Sequence, residues 1–401
     1  MGKGSRVAPT FRRAPARLQD ARLKGGRYKY KVTKTLTCRD SRATVRIIFF
    51  QEAAVKLMKK LSLLLFVVSC LASQTARAQT PADQPVIRLD PALDALISPD
   101  AKLELVNNDF GFTEGIVWVD QGSSGYLLLS DMYANVIYKL TPDGKVSLYL
   151  DHSGYTGYDI WRVGMPQPDP NRKDTFFMIG SNGLALDRQG RLLIATWSGR
   201  SVDRIEKNGK RTILADRYEG KRFGGTNDLV VKKDGAIYFT DGFGGLRGRD
   251  KDPGKELDFA GVFMWKDGKV TLAIKDIATP NGLAFSPDEK YLYANGSQNK
   301  YVRRYDVQPD DTLTNSRMFI DMSSDTAGGI TDGMKVDSKG NVWESGPRGI
   351  WIMSPEGKHL GTILTPEFVA NVCFGDRDNK TLYVAARTGV YKIRVNIPGI
   401  R

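Results

Sequence analysis

The sequence predicts an all-β chain folded as a six-bladed β-propeller, and three observations predict it. One short motif recurs six times along the chain. Its copies stand a blade's length apart, and no stretch carries sustained helical periodicity.

Three copies align without gaps: Asn182–Gly190, Asn227–Gly235 and Asp332–Gly340. Each opens on an oxygen-bearing side chain, continues as a short apolar run, and ends on a turn glycine. Asn281–Lys290 and Asn371–Lys380 fit with one more turn residue, and Glu114–Trp118 opens the series. The starts lie 68, 45, 54, 51 and 39 residues apart, the size of a four-stranded blade with insertions. A second β-rich run follows each turn, as at Leu192–Thr196 and Ala236–Thr240. The propeller is assigned to residues 101–401. Ala101–Asn107, with its strand-like core Leu103–Val106, is expected to supply the outer strand of the last blade and so close the ring.

Residues 79–100 read as an N-terminal linker. Upstream, Met58–Ala78 has the layout of a secretory signal peptide: Met58-Lys59-Lys60, an apolar run from Leu61 to Ala72, and Ala76-Arg77-Ala78 before Gln79. The run is too short for a membrane span, which needs about 20 residues. This places the protein in the periplasm or outside the cell. A lipoprotein anchored through Cys70 is the alternative, because Val67-Val68-Ser69-Cys70 fits a lipid-attachment box loosely. Residues 1–57 are Arg-rich and aperiodic, and they read as upstream sequence before a natural start at Met58.

Charge follows the same division. The 401 residues carry +14, from 59 Lys+Arg and 45 Asp+Glu, but residues 79–401 hold 41 basic and 42 acidic groups. A near-neutral body argues against nucleic acid as a partner. Of three cysteines only Cys373 lies in the body, so no disulfide or thiolate zinc cluster forms there. With only His152 and His359 in the chain, a His-rich metal site is excluded. Cys373 reads as a buried small apolar residue, and His359 as a solvent-exposed turn residue.

In a propeller, equivalent positions are related by rotation about the axis. Glu114, Asn182, Asn227, Asn281, Asp332 and Asn371 therefore converge in one ring at the tunnel mouth. All six offer carbonyl or carboxylate oxygens, the chemistry of a hard divalent cation. Ca²⁺ is the first choice, with Zn²⁺, Mn²⁺ or Mg²⁺ as alternatives. The competing explanation is that Asn and Asp here merely cap turns.

These residues resemble the gluconolactonase/regucalcin (senescence-marker protein) family. The resemblance rests on Thr113–Trp118, Pro280–Asp288, Asn227-Asp228 with Tyr238–Asp241, Thr331–Asp337, Asn341–Trp343 and Thr381–Val384. It covers roughly residues 100–395. It implies a divalent cation held by Glu114, Asn281 and Asp332, with Asn227 beside the metal or on substrate, and hydrolysis of sugar-acid lactones. The animal branch has an arginine where Gly225 stands, so Gly220–Asp228 looks more like the bacterial gluconolactonase branch. That branch often has an acid–histidine pair where this chain has Thr196-Trp197. Asn182, Asn227, Arg222 and Trp197 are expected at the substrate.

In this reading a cation polarises the lactone carbonyl and Asp332 is the base that deprotonates water. Asp228 is a second candidate base, or else a turn residue. The connection 151–180, with His152, Tyr155, Tyr158, Trp161 and Arg162, reads as a binding loop or as an insertion packed by its own aromatics. Two rivals stay open on the same scaffold: a phosphotriesterase or non-sugar lactonase, and a non-catalytic interaction platform. The signal layout carries the first prediction. Protein exported from a bacterial host should begin at Gln79 on N-terminal sequencing; a start near Met1, or a lipidated Cys70, contradicts it.

Overall fold

The computed structural model of the protein describes residues 85–168 and 175–400. The upstream extension, the signal segment, Cys70 and the first part of the expected linker lie outside the described residues. Six small antiparallel sheets surround one axis, each starting at one copy of the motif.

Blade 1 runs Thr113–Asp120, Gly125–Asp131, Val136–Leu140, Val146–Asp151 from axis to rim, and blade 2 runs Leu184–Leu186, Leu192–Ala195, Val202–Ile205, Arg211–Ala215. Blade 3 is Thr226–Val231, Ile237–Asp241, Gly261–Lys266, Lys269–Ile274, and blade 4 is Pro280–Phe285, Tyr291–Gly296, Tyr301–Val307, Leu313–Asp321. Blade 5 is Met334–Val336, Val342–Gly346, Gly349–Met353, His359–Leu364, and blade 6 is Val369–Gly375, Thr381–Ala386, Gly389–Arg394. The fourth strand of blade 6 is Glu104–Asn107, antiparallel to Gly389–Arg394. The ring thus closes by pairing the two ends of the domain, as the sequence predicts, and leaves no unpaired gap between first and last blades.

Period-two alternation explains how the blades hold together. Successive side chains of a strand point to opposite faces, and each face of a blade meets a different neighbour. In blade 3, Tyr238 packs with Phe285, Leu292 and Tyr305 of blade 4. Phe239, the next residue, packs with Leu193, Ala195 and Val202 of blade 2. Leu128 and Ile137 meet Leu184 and Ile194 between blades 1 and 2, while Ile116 and Leu129 meet Tyr383 and Ala385 between blades 6 and 1. Both faces of the inner strands are therefore apolar, and the core is a set of wedges between blades.

Residues 86–100 are not a linker. Val86–Arg88 adds a fifth strand to blade 5, antiparallel to His359–Leu364. Asp90 accepts the Ala92 N–H at 2.8 Å and caps the 3₁₀ turn Pro91–Ala95. Arg88 donates to the carbonyls of Ile97 (3.0 Å) and Ser98 (2.8 Å). Leu93 and Ile97 are fully buried among Ile350, Ile363, Val384 and Ile393, in the wedge between blades 5 and 6. A Cβ on Gly361 would land on the Ile87 carbonyl and the Leu93 side chain, so this close approach requires glycine.

Strand direction sorts the connections. Each inner strand starts at the ring, so links from second to third strand and from blade to blade lie on the ring face. The short turns, such as 187–191, 232–236 and 337–341, lie on the opposite face. All long links, 152–183, 216–225, 242–260 and 322–333, gather on the ring face. Among the described residues no helix is long and apolar enough to cross a membrane.

The Leu93 contact predicts that Leu93→Ala costs about 2–5 kcal/mol. Urea unfolding should show the loss, whereas an unchanged midpoint would place residues 86–97 outside the cooperative unit.

Candidate active site at the mouth of the tunnel

The inner strands bring the six motif openers to one level, and all are buried: Glu114 is 3% exposed and Asp332 5%. They lie beneath the surface at the end of the tunnel where the long links gather. Four of the motif openers are followed by glycine. None of these glycines has positive φ, so they are not turn glycines. They permit close approach instead. A Cβ on Gly183 would meet the Asp228 carboxylate, and one on Gly333 would meet the Asn371 amide. Gly183 donates to the Asn227 carbonyl and Gly333 to the Ala370 carbonyl, each at 2.7 Å, tying adjacent inner strands at the axis. The motif's opening residues pack the axis, and its turn chemistry lies at the far end, in Gly190, Gly235 and Gly340 with positive φ.

Asn182 stands beside Glu114 and Asn281 beside Asp332, and each favours the charged form of its neighbour. Buried oxygens without a partner remain on Glu114 (Oε2), Asn182 (Oδ1), Asn227 (Oδ1), Asp228 (Oδ2) and Asp332 (Oδ1). Burial, then the charges of Asp332 and Asp228, push the Glu114 carboxyl well above the usual carboxylate range. Burial and then Asp228 do the same to Asp332. Five unpaired oxygens and mutually repelling carboxyls describe a place that wants positive charge. Among the described residues, no three or more His, Cys, Asp and Glu side chains form a metal-holding group on their own. Amide oxygens must therefore complete any cation shell, and hard-cation chemistry accepts them. The donor set fits the divalent cation that the resemblance implies.

Asn371 belongs to the ring by position but not by chemistry. Its Oδ1 accepts its neighbour's Val372 N–H at 2.9 Å and faces Lys335 Nζ at 3.4 Å. Asp228 is no turn residue. It sits within the first strand of blade 3, accepts the Leu229 N–H at 2.9 Å, and stands close to Asn371 of the opposite blade. Burial raises its carboxyl, and Lys335 opposes the rise.

Lys335 escaped the sequence reading. It stands three residues after Asp332, where the other five repeats have Val117, Ala185, Val230, Ala284 and Phe374. A cation at a register that is otherwise apolar was the available signal. Its charge is felt by Glu114, Asp228 and Cys373. Cys373 is buried, as expected, and burial pushes its thiol up to about 12.

The expected substrate residues divide. Trp197 is buried with Met132 and Met178, and Phe112, Tyr133 and Met165 pack against them. Met132 Sδ lies 3.9 Å from the Asn182 amide nitrogen, so this apolar wall adjoins the ring. Arg222 is turned elsewhere. The hairpin Arg217–Tyr218/Lys221–Arg222 aims its guanidinium at the Gly199 carbonyl (3.2 Å), and no hydrogen bond joins it to a ring residue. The long link 152–183 packs against 242–260 rather than on its own aromatics alone. Gly164 N–H donates to Gly245 O at 2.9 Å, Arg247 donates to Ile160 O at 2.8 Å, and the same guanidinium lies 3.8 Å from the Phe177 ring centre. Tyr158 and Trp161 point outward, 91% and 66% exposed. His152 is exposed and pairs with Asp151. His359 is not solvent-exposed: it is half-buried and stacks on Trp351, the ring centres 3.8 Å apart.

Comparison with known proteins agrees with the fold. The SMP-30/gluconolactonase/LRE-like region family matches residues 112–388. A gluconolactonase of Zymomonas mobilis is 33% identical over 324 residues, 78% of this chain and 87% of that protein. The structure of a gluconolactonase from Xanthomonas campestris superposes with TM-score 0.64 at 27% identity, covering 78% of this chain and 95% of the other. A calcium-binding regucalcin from Agrobacterium tumefaciens shares the fold at 17% identity and TM-score 0.56, over 75% of this chain and 96% of its own.

Proposed function

The chain belongs to the SMP-30/gluconolactonase/LRE-like family and is a lactonase; from that premise we propose that it opens sugar-acid lactones at the tunnel-mouth ring with a divalent cation, Ca²⁺ first. The observation that carries the proposal is the set of unpaired buried oxygens on Glu114, Asn182, Asn227 and Asp332. Glu114, Asn281 and Asp332 would hold the cation, with Asn227 beside it. When bound, the cation supplies Lewis acidity toward the lactone carbonyl and charge for the developing oxyanion.

The protein's own groups do the rest. Asp332 takes a proton from water as the water oxygen bonds to the carbonyl carbon. The tetrahedral carbon then releases the ring oxygen, which takes the proton from Asp332, and the hydroxy acid leaves with Asp332 again a carboxylate. Asn182 and Asn227 each present a free Oδ1 to substrate hydroxyls. The buried cluster of Trp197, Met132 and Met178 limits water at one side of the ring. The signal layout at 58–78 supports a periplasmic or secreted enzyme, or one lipid-anchored through Cys70.

Lactone opening followed with a pH indicator, corrected for spontaneous hydrolysis, tests the reading. Activity on a gluconolactone should fall on chelation and return with Ca²⁺. Asp332→Asn should lose on the order of 10²–10⁴-fold even with excess cation, and Asp228→Asn less. In calorimetry Glu114→Gln and Asp332→Asn should each bind the cation sharply more weakly. Full activity after confirmed metal removal would refute the cation's role. Activity on organophosphates with none on lactones would favour the phosphotriesterase alternative.

A further inference from the structure

We propose that Glu344, which the family motifs do not single out, is a positioning residue that raises the ring's affinity for its cation by placing a second carboxylate directly behind Asp332. The inference rests on the cation reading above.

Register provides the first argument. In every blade the residue two places after the ring position pairs with one residue of the second strand. Those partners are Leu129, Ile194, Phe239, Ala294 and Tyr383 in blades 1, 2, 3, 4 and 6. In blade 5 the partner of Met334 is Glu344. Five apolar side chains and one acid occupy this level of the fold. Packing alone would favour an apolar residue here too, since an unbalanced buried carboxylate costs several kcal/mol.

The local contacts supply the second argument. Glu344 is 0% exposed. Its Oε1 accepts from the Asn295 amide (3.0 Å), the Asp332 N–H (3.2 Å) and the Ser345 hydroxyl (3.3 Å). Asn295 also donates to the Asp332 carbonyl at 2.5 Å. One oxygen of Glu344 thus fixes the backbone at Asp332, two residues before the inner strand of blade 5. The other, Oε2, is buried and has no partner, and neither has Oδ1 of Asp332 or of Asn295. Burial first, and after it the like charge of Asp332, push the Glu344 carboxyl well above the usual carboxylate range. The lysine at the axis, Lys335, is felt by Glu114 and Asp228 instead.

Hydrogen bonding uses one oxygen and could be met by a glutamine. The charge has no use within the protein itself. A cation in the ring, held by Asp332, gives it one: Glu344 lies one residue deeper and acts through Asp332 and through space, without ligating. Buried in low dielectric, such a charge is felt more strongly than it would be in water.

The test compares wild type with Glu344→Gln and Glu344→Met, each stripped with chelator and titrated with Ca²⁺ by calorimetry, with thermal midpoints taken with and without Ca²⁺. Glu344→Gln keeps an acceptor for Asn295 and the Asp332 N–H and removes only charge. Its metal-free midpoint should equal or exceed that of wild type, while Ca²⁺ binding weakens on the order of tenfold and the Ca²⁺-induced rise in midpoint shrinks. Glu344→Met, which also loses the hydrogen bonds, should bind still more weakly. Wild-type Ca²⁺ affinity in Glu344→Gln would overturn the proposal and leave Glu344 a hydrogen-bonding prop. Failure of both variants to fold without Ca²⁺ would also overturn it, because the metal-free fold would then need the carboxylate. Absence of Ca²⁺ binding by wild type itself would instead sink the cation reading of the ring.

Discussion

Everything at the centre of this protein depends on carboxylates held together out of water. Glu114, Asp228, Asp332 and Glu344 are all buried around the axis, and among the described residues Lys335 is the cation whose charge reaches Glu114 and Asp228. Such an arrangement is costly unless protons or a metal balance it. The propeller bears the cost because its stability comes from elsewhere. The wedges between blades, with Phe223, Phe239 and Phe263 in one and Trp343 with Phe374 in another, bury the apolar bulk away from the axis. The axis is left free for polar groups.

The parts of the fold that the sequence made legible are those set by short-range spacing. A polar opener, an apolar run and a turn glycine fit within ten residues, so the six inner strands and the ring could be read directly. Closure by Glu104–Asn107 was legible for a different reason: a circular sheet needs a partner for its last strand, and only the segment before the first motif was available. Val86–Arg88 was not legible. Three residues cannot show alternation, and the strand exists because blade 5 offers it an edge and Gly361 lets it approach. His359 misled for a similar reason, since its turn-like neighbours say nothing of Trp351 eight residues earlier in sequence and stacked against it in space.

Within the site, Glu114, Asn182, Asn227, Asn281 and Asp332 were legible because rotation about one axis turns equal sequence position into convergence. Lys335 and Glu344 lie one layer deeper, and there the signal is an exception to a repeat rather than the repeat itself. Lys335 is visible in the sequence by aligning the motifs; Glu344 becomes visible only once ladder register pairs it with Met334. Arg222 marks the opposite failure. It stood in a motif-like stretch, but its hairpin fixes its direction, and side-chain direction is not encoded in spacing.

The distribution of loop length completes the physical picture. Each hairpin on the far face is a tight turn, whereas the links that carry Trp161, Arg222 and Arg247 all rise on the ring face. Two of them brace one another through Gly164–Gly245, Arg247–Ile160 and Arg247 over Phe177. This bracing is backbone-anchored, and it holds Trp197, Met132 and Met178 beside Asn182 as a fixed wall. A fixed apolar wall next to charged oxygens lowers the local dielectric, and that strengthens any charge–charge interaction at the ring. The exposed polarity of an ordinary tunnel mouth would have screened the same carboxylates. Loop length on one face and carboxylate burial at the axis are thus parts of one arrangement: the links hold an apolar wall beside the ring, and the ring's carboxylates stay out of water.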